Sequence, residues 1–514
     1  MSLPGEISLV PERVTAEKRR SEKSAEAVVT EQKPAGARSA EGRKIQRGEG
    51  LNERESETAM GLNEGKHQKP DWGPLPRGSG EAATAKQGGE PSTAVDGDER
   101  SGSEHLMERV VARENMRTAL KRVRQNKGGP GVDGMTVDEL SPHLREQWPR
   151  IRALLLEGRY EPQAVLRREI PKSGGGTREL GVPTVVDRLI QQAILQVLQP
   201  RWDTGFSESS YGFRPGRRAH DAVRAAKQYI GQGRVYVVDV DLEKFFDRVN
   251  HDVLMGRVAK RIDDRRVLRL IRGYLEAGVM LDGVVMERYE GTPQGGPLSP
   301  LLANVLLDEV DKALEKQGHK FARYADDCNV YVRSRRAGER VMASLRRHYA
   351  KLRLRVNETK SAVAPVWERK FLGYSFWKRE GEAKLRVADQ AIARLKDRVR
   401  KATRPTIGQS MKQVTEGLRS YLLGWKEYFR LAETPRVFLT LDKWIRHRLR
   451  ALQLKHWRRG RTIYRELVAR GLSAHKAAKV AAQGRRWYRT SRKDIHIALP
   501  IAHFDALGIP HLSP

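Results

Sequence analysis

Beyond His105 apolar residues recur at helical spacing in some stretches and alternate in others, so the chain reads as a mixture of helices and strands. LMERVVARENMRTALKRVRQNKG (106–128) predicts one amphipathic helix, stopped by Gly128 and Gly129. IRALLLEGRY (151–160) and DRLIQQAILQVLQPRW (187–202) predict further helices with Leu/Ile faces. Three later segments predict strands: VYVVDVDL (235–242), FARYA (321–325) and CNVYVR (328–333). Long helical excursions between strands predict an α+β or split βαβ sheet. Past about residue 386 the strand pattern ends and helical periodicity takes over in very basic sequence, which puts a domain boundary near 380–390.

Composition changes the picture at the N-terminus. Residues 1–103 hold one aromatic, Trp72, among Gly, Glu, Lys, Ala and Ser. Such a stretch cannot bury enough apolar surface to offset chain entropy, so a disordered or weakly structured tail is expected. The 514-residue chain carries a formal net charge of +33. Residues 1–100 hold 16 basic and 18 acidic side chains, and the remainder holds 81 against 46. A folded body so positive implies a polyanionic partner, of which nucleic acid is the usual one. Mean hydropathy is −0.64, no apolar run could span a bilayer, and the opening MSLPGEISLV lacks a signal-peptide core. A cytoplasmic protein with no membrane partner is expected. The single cysteine, Cys328, rules out an internal disulfide and a thiolate zinc cluster.

Candidate chemistry lies in the strands. In FARYADDCNVYVR, Asp326 and Asp327 occupy the connection of a tight hairpin, where Asp is a favoured turn residue in any case. A second acidic segment gives them weight. In VVDVDLEKFFDRVNH, Asp239 and Asp241 share one face of a strand, because side chains alternate with period two. A strand end offering an acid, beside a hairpin tip offering two, makes a carboxylate cluster with no Lys or Arg in the strand to pair it. Such a cluster repels itself unless cations neutralise it. Two Mg²⁺ ions roughly 4 Å apart, or Mn²⁺ in their place, are the expected occupants.

On these motifs the chain resembles the reverse transcriptases. YADD (324–327) is similar to the family's signature, and DLEKFF (241–246) to its first catalytic motif, where an aromatic stands five residues after the metal-binding Asp. That spacing selects Asp241 over Asp239. The resemblance implies an α+β right-hand polymerase, with fingers, a palm carrying an antiparallel sheet, and an all-α thumb. It implies that Asp241, Asp326 and Asp327 hold the metals and that Phe246 is the steric gate against a ribose 2′-hydroxyl. REIPKSGGGTREL (168–180) resembles the fingers hairpin, with Lys172 and Arg178 holding the incoming dNTP; Arg188 falls where the family has a fingers arginine. YGFRPGRRAHDA (211–222) resembles a segment lining the template path. In GTPQGGPLSPLLANVLLDEVD (291–311) Gln294 would reach base or sugar, Gly295 and Gly296 would let backbone approach the nucleotide, and a helix would begin near Pro300. In LRLRVNETKSAV (352–363) the resemblance makes Lys360 a general acid for departing pyrophosphate, and WERKFLGYSF (367–376) resembles the primer-grip hairpin.

Within that family the chain resembles the group II intron-encoded enzymes. KGGPGVDGMTVDEL (127–140) and YGFRPGRRAHDAV are similar to that lineage's N-terminal extension and fingers. The segment GLRSYLLGWKEYFRLAETPRVFLTLDKWIRHRLRALQLKHWRRGR (417–461) is similar to its maturase or thumb domain. There Phe438, Leu441, Trp444, Ile445, Leu449 and Leu452 repeat at helical spacing, and Arg446, Arg448, Arg450, Lys455, Arg458, Arg459 and Arg461 fall largely elsewhere. Trp444, Trp457 and Trp487 interleave with the arginines, which suits stacking on structured RNA, and Arg446, Arg450, Trp457, Arg458 and Arg459 are the expected contacts.

The expected order is a tail (1–103), N-terminal extension and fingers (104–234), palm (235–385), helical thumb or maturase domain (386–495) and a C-terminal tail (496–514). The partners implied are group II intron RNA, an RNA template with a DNA primer, dNTPs and target DNA. Many relatives append a metal-binding endonuclease; this sequence ends at AHFDALGIPHLSP without Cys pairs or a His-rich site, so an endonuclease-lacking type is expected. Two rivals remain at this point: an RNA-binding maturase that only assists splicing, and a retron or defence-type reverse transcriptase. Intact acids oppose the first, and the long basic C-terminal segment opposes the second.

Overall fold

In the computed structural model the described residues are 105–513, except 172–176, 282–283, 287–288, 293–294, 405–407, 484–486 and 492–493. The stretch expected to be disordered, 1–103, and the sites expected at Lys172 and Gln294 lie outside them. Among the described residues no helix is long and apolar enough to cross a membrane.

The expected single helix over 106–128 is two, Leu106–Val110 and Arg113–Asn126. Ala112 between them is extended, and the Asn115 side-chain amide donates to the Val110 carbonyl at 2.8 Å, satisfying an end that would otherwise lack a partner. The break turns Leu106, Met107 and Val110 fully into the core, which one straight helix could not do together with Ala119 and Val123. The second helix stops at Lys127, which is left-handed (φ 45°), just ahead of the expected glycines. The helix read at 187–202 forms as Val185–Asp203, N-capped by Thr184, and is buried nearly all round because fingers and palm both pack on it.

Three sheets organise the rest. Strands β1 (Val165–Pro171) and β2 (Thr177–Val182) make the expected antiparallel fingers hairpin. It is extended by β4 (Val279–Leu281), parallel to β1, and β5 (Val284–Met286), neither of which the sequence pattern announced. The palm sheet has the order β6-β7-β3-β8, all antiparallel, from β6 (Lys320–Tyr324), β7 (Asp327–Val332), β3 (Tyr236–Val240) and β8 (Ala362–Pro365). Both of its faces are buried. Val238, Val240, Val330 and Val332 enter a core shared with the fingers helices, while Val237, Ala322 and Tyr331 enter a second core. Two-sided burial explains why these strands read as apolar runs.

The third sheet, β9 (Lys370–Phe371), β10 (Tyr374–Arg379) and β11 (Glu382–Val387), joins the palm to helices Asp389–Ala402, Met411–Tyr428 and Pro435–Trp457. No strand follows Val387 among the described residues, as the periodicity predicts. Phe438, Leu441, Ile445, Leu449 and Leu452 form the buried stripe of the Pro435–Trp457 helix.

Candidate active site

The palm register brings the candidate acids together. Tyr324 pairs with Asp327, so Ala325-Asp326 form a two-residue turn at the tip of the β6–β7 hairpin. Val240 pairs with Cys328 on the other side of β7, so the next residues outward, Asp241 and Asp327, leave the ladder beside each other. Asp241 therefore lies just past the end of β3. Its backbone is fixed from both sides: Ser361 Oγ accepts from Asp241 N at 3.0 Å, and Asn357 N donates to Asp241 O at 2.8 Å.

The expectation of unpaired carboxylates is corrected at two points. Asp239 is bound by Arg369, whose Nε donates to Oδ2 at 2.8 Å and whose Nη2 also reaches the Lys360 carbonyl at 2.6 Å. Burial pushes the Asp239 carboxyl above its usual range and Arg369 opposes the shift. Asp239 is thus engaged structurally, which separates it from Asp241 more firmly than motif spacing does. Asp241 itself has Lys360 Nζ 3.5 Å away, in a pair whose side chains are 37% and 64% exposed. A pair so open to water is weak enough for a divalent cation or a substrate phosphate to displace.

Ala325 is left-handed (φ 59°), a conformation that costs a residue with a Cβ and persists only where neighbours enforce it. Arg323 does so from within. It is 1% exposed, and each of its five N–H bonds finds an acceptor. Nε donates to Asp311 Oδ1 and Oδ2 at 2.8 and 2.9 Å; Nη1 donates to Asn304 Oδ1 and to the Ala325 carbonyl, both at 2.9 Å. Nη2 donates to Ser210 Oγ at 2.7 Å and also to Asp311. Asn304 in turn donates to the Gly212 carbonyl at 2.9 Å. A Cβ on Gly212 would lie 2.2 Å from Ala325 N, so only glycine lets YGFRPG lie against the turn. Arg323, Asp311, Asn304, Ser210 and Gly212 were missed by sequence reasoning. An arginine inside the apolar strand FARYA was the available signal, since a buried charge needs a partner.

Phe246 lies partly buried, edge-on to Phe245 with ring centroids 5.0 Å apart, and its carbonyl accepts from Thr292 N at 2.6 Å. That bond sets Gly291-Thr292 against the first acidic motif. Gly291 (φ 92°) is required there, because a Cβ would meet Asp247 O at 2.8 Å. Gly295 is expected to approach the nucleotide; the close approach the structure shows is to protein. A Cβ there would lie 2.6 Å from Gly181 O of β2, and one on Gly296 would lie 2.4 Å from Gln191 Oε1. The Ser299–Lys316 helix then begins one residue before Pro300. Arg178 pairs with Ile170 across the fingers hairpin. Arg188 donates to the Gly129 carbonyl at 2.6 Å and so anchors the KGGPG segment.

In the helical region the expected RNA contacts divide. Arg446 is 1% exposed and ion-paired to Asp442 and Asp505, so it is a core residue and not an RNA contact. Helical spacing misplaced it because Asp442, one turn earlier, and Asp505 make its burial tolerable. Arg450 is half-buried, donating to the Leu499 carbonyl at 2.8 Å and lying over Phe504. The tryptophans are covered from within: Arg400 lies over Trp444, Arg470 over Trp457 and Lys455 over Trp487. Arg458 and Arg459, at the end of the long helix, remain exposed.

The donor set suits a hard cation. Asp241, Asp326 and Asp327 offer carboxylate oxygens, and the one thiol, Cys328, is buried with its pKa pushed up to about 12 by desolvation. Among the described residues no group of three or more His, Cys, Asp or Glu side chains could hold a metal ion by itself. This still fits Mg²⁺, which typically takes one or two carboxylates and completes its shell with water and substrate phosphates.

Residues 170–376 match the family described as reverse transcriptase (RNA-dependent DNA polymerase), and residues 392–471 match the group II intron, maturase-specific domain. Protein YkfC of Escherichia coli (strain K12) is 37% identical over 221 residues, 42% of this chain and 58% of that protein. The group II intron-encoded protein LtrA of Lactococcus lactis subsp. cremoris is 36% identical over 206 residues, 40% of this chain and 34% of that one. The chain thus spans less than two thirds of the length of either relative. A solved chain from a partial Cas6-RT-Cas1–Cas2 complex aligns at 24% identity and a TM-score of 0.32, covering 48% of this chain and 42% of that one, a likeness too loose to argue from.

Proposed function

Because the chain belongs with the group II intron-encoded reverse transcriptases, we propose that it is an RNA-directed DNA polymerase that also binds its intron RNA, assists splicing and copies that RNA during retrohoming. The observation that carries the polymerase reading is the palm register, which sets Asp241 next to the Ala325-Asp326-Asp327 tip. Asp241, Asp326 and Asp327 would hold two Mg²⁺ ions, which when bound polarise the phosphate and favour an attacking oxyanion. The protein's own part is positional. Ser361 and Asn357 fix Asp241, while Arg323 fixes the hairpin tip. Phe246 would crowd a 2′-hydroxyl, and Lys360 would deliver a proton to the departing pyrophosphate. Lys172, Arg178 and Gln294 would hold the incoming dNTP. The proposed order of fingers (104–234), palm (235–385) and thumb (386–495) places the maturase-specific match in the thumb. The reaction would take place in the cytoplasm, at target DNA.

The test separates the two activities. Asp241→Asn and Asp326→Asn should each abolish dNTP incorporation on a primed RNA template, since one lost ligand charge unbalances the cation site. Group II intron splicing assisted by the same variants should persist. Primer extension near the wild-type level in either variant rejects the catalytic assignment.

A further inference from the structure

At the opposite end of the palm sheet lies a cavity of about 570 Å³ that the polymerase reading does not use. It opens where β6 begins and β7 ends, five residues from the Ala325-Asp326 turn, hence roughly 16 Å away at the usual rise of a strand. Four cationic side chains line it: Arg234 ahead of β3, Lys320 at the start of β6, Arg333 after β7, and Arg340 on the Arg335–Lys351 helix. No Asp or Glu is among the lining residues, and among the described residues none of the four pairs with a carboxylate, although Arg234 Nη1 donates to Gln232 Oε1 at 2.7 Å. Neighbours differ: on the same helix Arg335 pairs with Glu339, and Arg346 with Glu358. Four like charges around one cavity, with no carboxylate among them, make a positive field that attracts an anion.

The remaining wall decides which anion. Ala337, backed by the buried Val332 and Val341, supplies apolar surface fit for a sugar or base face, and His319 adds a ring that burial keeps from protonating readily. The charges come from four separate elements around the cavity: the segment ahead of β3, the start of β6, the residue after β7 and the Arg335–Lys351 helix. That pattern fits successive phosphates of a strand better than the single cluster of a free nucleotide.

We propose that this cleft is a second nucleic-acid contact, gripping the phosphodiester backbone of RNA at the end of the palm remote from the reaction. That the strand belongs to the intron rests on the function proposed above. The cleft would let one RNA be held while another is copied, because its occupant does not compete for the carboxylate end of the sheet.

The test uses the full chain carrying Lys320→Gln, Arg333→Gln and Arg340→Gln together, with a folded group II intron transcript, a short RNA template with DNA primer, and ATP as probes. The slope of log affinity against log salt for the transcript should fall by about two units, at somewhat under one unit per lost phosphate contact. Extension of the short primer should stay within about two-fold of wild type, because the cleft lies at the far end of the strands. An unchanged slope overturns the proposal. Equal loss of primer extension also overturns it, by making the cleft part of the polymerase channel. So does ATP that displaces the transcript from the unmodified chain but not from the variant, which marks a mononucleotide site. Arg458→Gln with Arg459→Gln is measured in parallel. Loss there with the cleft variant unaffected overturns the cleft and leaves intron binding standing, and the reverse supports the cleft without the thumb.

Discussion

Arg323 and Asp311 form an ion pair with side chains 1% and 0% exposed, directly beneath the turn that bears Asp326. Removing one member of a buried pair strands the other, at a typical cost of about 3–5 kcal/mol. Asp311→Ala should therefore lower stability by that order in thermal unfolding. Arg323→Lys, which keeps the charge but cannot reach Asp311, Asn304, Ser210 and the Ala325 carbonyl together, should lower kcat for dNTP incorporation at temperatures where it remains folded. Unchanged kcat would mean that Ala325 holds its conformation without the guanidinium.

Phe246 lies partly buried, in a T-shaped contact with the fully buried Phe245. Phe246→Ala should leave the fold intact, since Phe245 fills the core, and should raise ribonucleotide use relative to deoxyribonucleotide in competition assays. A ratio that stays at its wild-type value would make Phe246 a packing residue.

The helical arginines should separate by burial. Arg458→Gln with Arg459→Gln should weaken binding of a group II intron transcript and flatten its salt dependence by about one unit or slightly more. Arg446→Gln should instead lower the unfolding temperature, because it leaves Asp442 and Asp505 without their shared partner. If Arg446→Gln shifts only the salt slope, the burial assigned to Arg446 is wrong.

Asp308 is held in a partly buried site beside Asp311, where desolvation first and Asp311 second raise its pKa from 3.8 to about 6. Its Oδ1 has no hydrogen-bond partner. Raised in the fold, the carboxyl keeps its proton after the unfolded chain has released it. This contribution to stability is complete below pH 3.8 and is lost as pH rises through about 6. Asp308→Asn should therefore stabilise the protein at pH 7, by on the order of 1–2 kcal/mol after allowance for partial exposure. The gain should vanish near pH 4. Denaturant unfolding of both proteins at pH 4 and pH 7 measures it.

Local pattern alone settled much of this protein. Alternation and two-sided apolar runs placed β3, β6 and β7, helical spacing placed the buried stripe from Phe438 to Leu452, and the order of the acidic motifs pointed to the chemistry. These features are legible because each depends on residues close in sequence. What depended on distant partners was not. Motif spacing passed over Asp239, but that Arg369, 130 residues away, engages it was not legible. Asp505 and Asp442 drew Arg446 into the core when its spacing suggested a surface. The five acceptors around Arg323, gathered from Ser210 to Ala325, could be identified only once the chain had folded. A buried charge is tolerated only where tertiary structure supplies its partners, and helical or strand periodicity carries no record of them.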